Sequence, residues 1–169
     1  MARRYWGFTN MNFEYEGYNV PELYRATWQA LADRAYFTTE RRYIYVSIGD
    51  VQAVVAWWTG THEAEKKYSL TGIDAYLKIV WRTVPKPGAS GENPPRVPYG
   101  KFSLSMNGFV VTDYLNTWAQ SLLLSPLFDL RERMFYKRRV DVLKKKVRQD
   151  GEGIIRDLQE VISFLPRLM

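Results

Sequence analysis

Apolar positions recur at helical spacing along much of this chain. Pro21 suits the first position of a helix, where its missing N–H costs nothing. Tyr24, Trp28, Leu31 and Ala35 then share one face, and the pattern predicts a helix over 21–37. Thr38 and Thr39 break it, and Thr39 can cap a following helix. Residues 40–59 carry two signals. The run Tyr43 to Ile48 has strand-like composition. Yet Ile44, Ile48, Val51, Val55 and Trp58 step by 4, 3, 4 and 3, passing Gly49 without a phase break. The stepping favours one helix ending at Gly60. Leu70, Ile73, Leu77, Trp81 and Val84 form another helical stripe.

The flanking segments differ. Residues 1–20 hold Tyr5, Trp6, Phe8, Phe13, Tyr15 and Tyr18 with no helical period. They read as an extended arm, too apolar to float freely, that packs on its own domain or on a neighbouring subunit. Between Pro85 and Gly100 lie five of the eight prolines, which excludes helix and central strand there. Phe102, Leu104 and Met106 alternate before Asn107-Gly108, a strong hairpin signal. Against it, Val111, Leu115, Trp118 and Leu122 step helically, so a short extended piece followed by a helix over 110–124 is expected. Ser125-Pro126 opens a long helix to about Arg148. Gly151 and Gly153 interrupt, and Ile155, Leu158, Ile162 and Leu165 mark a last helix ended by Pro166. The expected fold is mostly α: a helical bundle with an extended N-terminal arm and a proline-rich connection between two helical halves. Its segments are 1–20, 21–84, 85–100 and 101–169, forming one structural unit.

Composition removes much chemistry. The chain has 169 residues, no Cys and one His, so thiolate metal sites, a Cys nucleophile and paired imidazoles are excluded. No apolar run approaches the ~20 residues of a membrane-spanning helix. No apolar signal region follows Arg3 and Arg4, so secretion by a signal peptide is not expected. In His62-Glu63-Ala64-Glu65-Lys66 the second His of a zinc-protease helix is missing, and the segment reads as a solvated helix end. Gly151 and Gly153 lack the third glycine of a dinucleotide loop. The best nuclease-like set is Asp50, Glu65 and Lys67, on a stretch too polar for the buried strand such sites need. No cofactor and no metal site is expected.

Charge then picks out one segment. The net charge is +6, which favours polyanionic partners. Arg131 to Arg148 carries nine basic residues against Glu132 and Asp141, a net +7. The candidate phosphate contacts are Arg131, Arg133, Lys137, Arg138, Arg139, Lys144, Lys145, Lys146 and Arg148, spread around a helix whose apolar strip is Val140, Leu143 and Val147. Arg25, Arg34, Arg41 and Arg42 form a second candidate surface, although Glu22, Asp33 and Glu40 could pair with them.

An aromatic arm starting Arg3-Arg4-Tyr5-Trp6-Gly7, paired helices over 21–60, a proline break and a helical C-terminal half resemble the major coat proteins of filamentous archaeal viruses, of the lipothrixvirus and rudivirus type. The resemblance implies a virion structural protein that wraps linear double-stranded DNA without sequence specificity. It implies assembly with itself or with a related second coat protein, no catalysis, and the arm aromatics Tyr5, Trp6, Phe8, Phe13, Tyr15 and Tyr18 at subunit interfaces. The alternatives are a small metal-dependent nuclease and a helical nucleic-acid-binding adaptor of a larger complex.

Overall fold

The computed structural model describes residues 2–65, 68–88, 94–113 and 136–164, together with Leu115, Leu127, Leu130 and Met134. It is a β-sheet protein. Five strands, β1 (Arg3–Tyr18), β2 (Phe37–Ile48), β3 (Val51–Glu65), β4 (Ser69–Pro85) and β5 (Arg96–Thr112), form one sheet in the order β1-β5-β4-β3-β2. Every neighbouring pair is antiparallel. Two helices, α1 (Glu22–Asp33) and α2 (Lys137–Phe164), pack on one face of it.

The strands form because their residues are largely β-branched or aromatic and alternate between two environments. Ala56, Trp58, Ile73, Ala75, Leu77, Phe102, Leu104 and Met106 all face the helices and are buried. The register sets them opposite one another, as in Ala56↔Leu77, Leu77↔Leu104 and Ala75↔Met106. From above come Leu23, Ala30 and Leu31 of α1 and Val147, Ile154 and Leu158 of α2. Each fully buried Leu or Ile contributes roughly 1.5–3 kcal/mol of hydrophobic stabilisation. Trp58 sits under α1, with Tyr24 and Trp28 rings edge-on at 4.8 and 5.3 Å. Its indole N–H donates to Glu40 at 3.1 Å, so no polar atom of the ring is stranded.

Close approach of α2 needs glycine. A Cβ on Gly108 would lie 2.2 Å from the Phe8 ring and 2.5 Å from Val147. A Cβ on Gly151 would lie 2.8 Å from the same ring. Phe8 is thus wedged between a glycine of the sheet and a glycine of the helix.

The expectation of a helical bundle is therefore overturned, and an all-α description with it. The stripe over 40–59 is the β2–β3 hairpin. Ile48 pairs with Val51, and Gly49, at φ +61°, takes the left-handed first position of a two-residue turn. The stripe over 70–84 is β4. In both, apolar residues occupy both faces of the sheet, so selecting every third or fourth one mixes the faces. Asn107-Gly108 is mid-strand, paired with Asp74 and Ile73, rather than a turn. Residues 110–112, expected to begin a helix, end β5; most of 114–135 lies outside the described residues. Gly151 and Gly153 do not interrupt: α2 runs through both. The arm over 1–20 is β1, an edge strand of its own sheet. The proline-rich segment joins β4 to β5, closed by Lys86 N–H donating to Pro95 O at 2.7 Å. Pro85 and Pro98, expected outside central strands, lie in two of them, in the paired end of the β4–β5 ladder, and residues 96–100 belong to β5. The helix expected over 21–37 is present but shorter, as α1 over Glu22–Asp33: Ala35 takes φ +59° and Phe37 already begins β2. No described helix is long and apolar enough to cross a membrane.

Candidate nucleic-acid interface

The basic segment falls on the first half of α2. Val140, Val147, Gly151, Ile154 and Leu158 are buried, a strip repeating every three, four or seven residues that seats the helix on the sheet. At 100° per residue the basic side chains take the remaining circumference. Lys137, Lys144 and Arg148 lie on one flank of the strip, Arg139 and Lys146 on the other, and Arg138 and Lys145 between them on the far side. All but Lys144 are exposed, and Lys144 is half-buried.

Few acids compensate this charge. Arg139 pairs with Glu65 at the end of β3. Arg148 pairs with Glu152 at 3.2 Å, and Lys144 lies 4.0 Å from Asp141 and 5.6 Å from the Tyr5 ring. Lys137, Arg138, Lys145 and Lys146 have no carboxylate partner among the described residues. The second half of α2 is the reverse, with Asp150, Glu152, Asp157 and Glu160 against Arg156. Two of those acids serve the fold. Asp157 binds Arg34 at 2.5 Å, and Asp150 accepts from the Tyr36 hydroxyl at 2.9 Å. Burial first, and then the Asp150 carboxylate, hold the Tyr36 phenol well above its ordinary pKa.

The other predicted residues scatter. Arg34 ends α1, donates also to Ala30 O at 2.9 Å, and is a structural clamp between the helices. Arg25 is exposed on α1, away from any described partner. Arg41 and Arg42 sit at a bulge in β2, on the sheet edge. Arg131 and Arg133 lie outside the described residues. Of the arm aromatics, Tyr5, Phe8, Phe13 and Tyr15 pack against the core of their own sheet. Trp6 is exposed beside Arg4 at 4.5 Å, and Tyr18 meets Tyr99 at 5.0 Å.

The nuclease-like set is pulled apart. Asp50 lies in the β2–β3 turn and Glu65 at the far end of β3, a strand of 15 residues. At ~3.3 Å per residue they stand about 50 Å apart. They cannot share a metal ion, and Lys67 lies outside the described residues. His62 is on a strand, not a helix end, with Nδ1 3.1 Å from Ala35 O. Among the described residues no group of three or more acids and histidines is placed to hold a metal.

Sequence reasoning missed the face of the sheet that carries no helix among the described residues. There Trp57, Tyr76, Lys78 and Arg82 join Arg42. The missed signal is the Trp57-Trp58 doublet within Val54 to Thr59, where alternation sends one tryptophan to each face.

Comparison with protein-family models and with curated proteins finds no match to this chain.

Proposed function

We propose that this chain is a nucleoprotein subunit that binds double-stranded nucleic acid through the basic half of α2 without reading its sequence. The observation that supports this is the unpaired positive charge around Lys137–Arg148, set on a helix anchored by its one apolar strip. That half-helix is about 18 Å long. Its two basic flanks are suited to reach phosphates of the two strands that border a groove. Backbone contacts of this kind position a protein and carry no sequence information. The paired helices over 21–60 on which the coat-protein resemblance rested are replaced by a helix and a hairpin and the arm by a sheet strand, so the present reading rests on the charge of α2 and not on that resemblance.

The experiment is titration of two unrelated 20-base-pair duplexes with the wild-type protein and with Lys144, Lys145 and Lys146 all changed to Gln. The wild type should bind both alike, and the triple variant should lose affinity for both by a similar factor. A strong preference for one duplex, or an unchanged triple variant, would contradict the proposal.

A further inference from the structure

We infer that the helix-free face of the sheet binds single-stranded nucleic acid, with bases stacked on Trp57 and Tyr76 and phosphates held by Arg42, Lys78 and Arg82. The register brings these together. One row across the sheet reads Arg42, Trp57, Tyr76, Ser105, Asn12. Lys78 is two residues further along β4, in the next row, and Arg82 lies four residues beyond it. The neighbours Ala56, Trp58, Ala75 and Leu77 are fully buried under the helices, so Trp57 and Tyr76 point the other way. They are 47% and 50% exposed. Neither ring meets another aromatic ring among the described residues, so each has a face free for a planar partner.

The charge on this face selects the partner. Arg42, Lys78 and Arg82 have no ion pair or hydrogen bond among the described residues. Most acids of the face are engaged: Asp74 with Arg4 at 2.6 Å and with the Thr59 hydroxyl at 2.9 Å, Glu16 with Lys101 at 3.2 Å. Among the described residues, Glu14 at the β1 side and Asp50, in the turn next to Val51 and so beside Arg82, oppose these cations. Next to Tyr76 along β4 lies a hollow of about 680 Å³ lined by the cations Lys78, Arg82 and Lys101, by Tyr99, and by the carboxylates Glu14 and Glu16 at its β1 side. This size falls within the range of small-molecule sites, ~300–1,000 Å³. It has room for a nucleotide next to those on Trp57 and Tyr76.

A duplex cannot use exposed ring faces, because its bases are already stacked on each other. Unpaired bases can, and each gains stacking on an aromatic regardless of its identity. A neutral sugar would leave the three cations without purpose. A second copy meeting this face with its own would oppose like charges. Since α2 covers the other side of the sheet, the site is distinct from the duplex surface and does not rest on it.

The test uses the full chain and a fluorescently labelled 12-nucleotide oligo-dT, read by anisotropy, with sedimentation of the free protein in parallel. Trp57→Ala and Tyr76→Ala should each weaken oligo-dT binding about 10-fold, within the range seen for a lost base stack. Trp57→Phe should keep most of it. The Lys144, Lys145, Lys146 triple Gln variant should retain oligo-dT binding even if its duplex binding is lost. Binding unchanged in both alanine variants, or abolished only in the triple variant, overturns the site. So does a dimer that Trp57→Ala dissolves, which would assign the face to a second copy. If an alanine variant does not fold, photocrosslinking of wild type to 5-bromouracil oligonucleotide decides: adducts on Trp57 or Tyr76 support the site, and adducts confined to 137–148 overturn it.

Discussion

Trp57 and Trp58 are neighbours in one strand and live in opposite environments. Trp58 is fully buried, its ring between Tyr24 and Trp28 and its N–H on Glu40. Trp57 stands on the bare face beside Tyr76 with about half its surface in water. The same split separates Leu77 from Tyr76 and Leu104 from Ser103. One face of the sheet is committed to holding two helices, and no described element packs on the other. Aromatic content therefore measures two things here: core volume on one side and available contact surface on the other.

The largest expected effect breaks that comparison at its centre. Trp58→Ala should cost about 3–5 kcal/mol, since it opens a cavity under α1. Trp57→Ala should stay within about 1 kcal/mol, because an exposed ring leaves no cavity. Urea denaturation of both variants checks this, and equal losses would mean that the two faces are not distinct in energy. Next in size is Gly108→Ala. Its Cβ would press into the Phe8 ring, and such overpacking costs about 1–3 kcal/mol. Gly88→Ala, in open space but at φ +73°, should cost about 1 kcal/mol. A smaller change is expected for Arg34→Gln, which removes a partly buried clamp on Asp157 worth about 0.5 kcal/mol. Its duplex binding should match the wild type, since the residue is turned to the fold rather than to solvent.

The smallest effect is a pH dependence. The folded protein holds the Tyr36 phenol proton more tightly than the unfolded chain, whose tyrosines titrate at about 10. The stability from this group is complete below about pH 10 and is lost as pH rises above it toward the folded value. Melting temperatures between about pH 9.5 and 11 should fall more steeply for the wild type than for Tyr36→Phe. Parallel curves would remove the Tyr36–Asp150 contact from the account.

Part of this was readable from the residues. Pro21 and the spacing of Tyr24, Trp28 and Leu31 gave a helix that is present. The strip of Val140 and Val147 does face the core, with the basic residues around it. The strands were not readable by helical spacing, because Ile44, Val51 and Val55 belong to one face of the hairpin and Trp58 to the other. When both faces of a sheet carry apolar residues, a step of three or four always finds a partner. Composition was the better guide: Thr38 to Thr59 is dense in Val, Ile, Thr, Tyr and Trp, which suit a pleated surface. Gly151 misled for a different reason. A helix interior disfavours glycine by ~1 kcal/mol, but here the missing side chain makes room for Phe8, a contact 143 positions away in sequence that no local window shows. The basic segment was legible because charge density needs no fold to be counted. Which of its neighbours would be neutralised, as Arg34 is by Asp157, depended on the packing of α1 against α2.

The central claim, that the basic half of α2 holds phosphates, is tested most directly by the salt dependence of duplex binding. Each neutralised phosphate adds ~0.9 to the slope of log affinity against log salt. Changing Lys144, Lys145 and Lys146 together to Gln should lower the wild-type slope by about 2–3, with Arg34→Gln unchanged as the control. A slope that is the same in the triple variant and the wild type, or an affinity that does not respond to salt at all, would contradict the account.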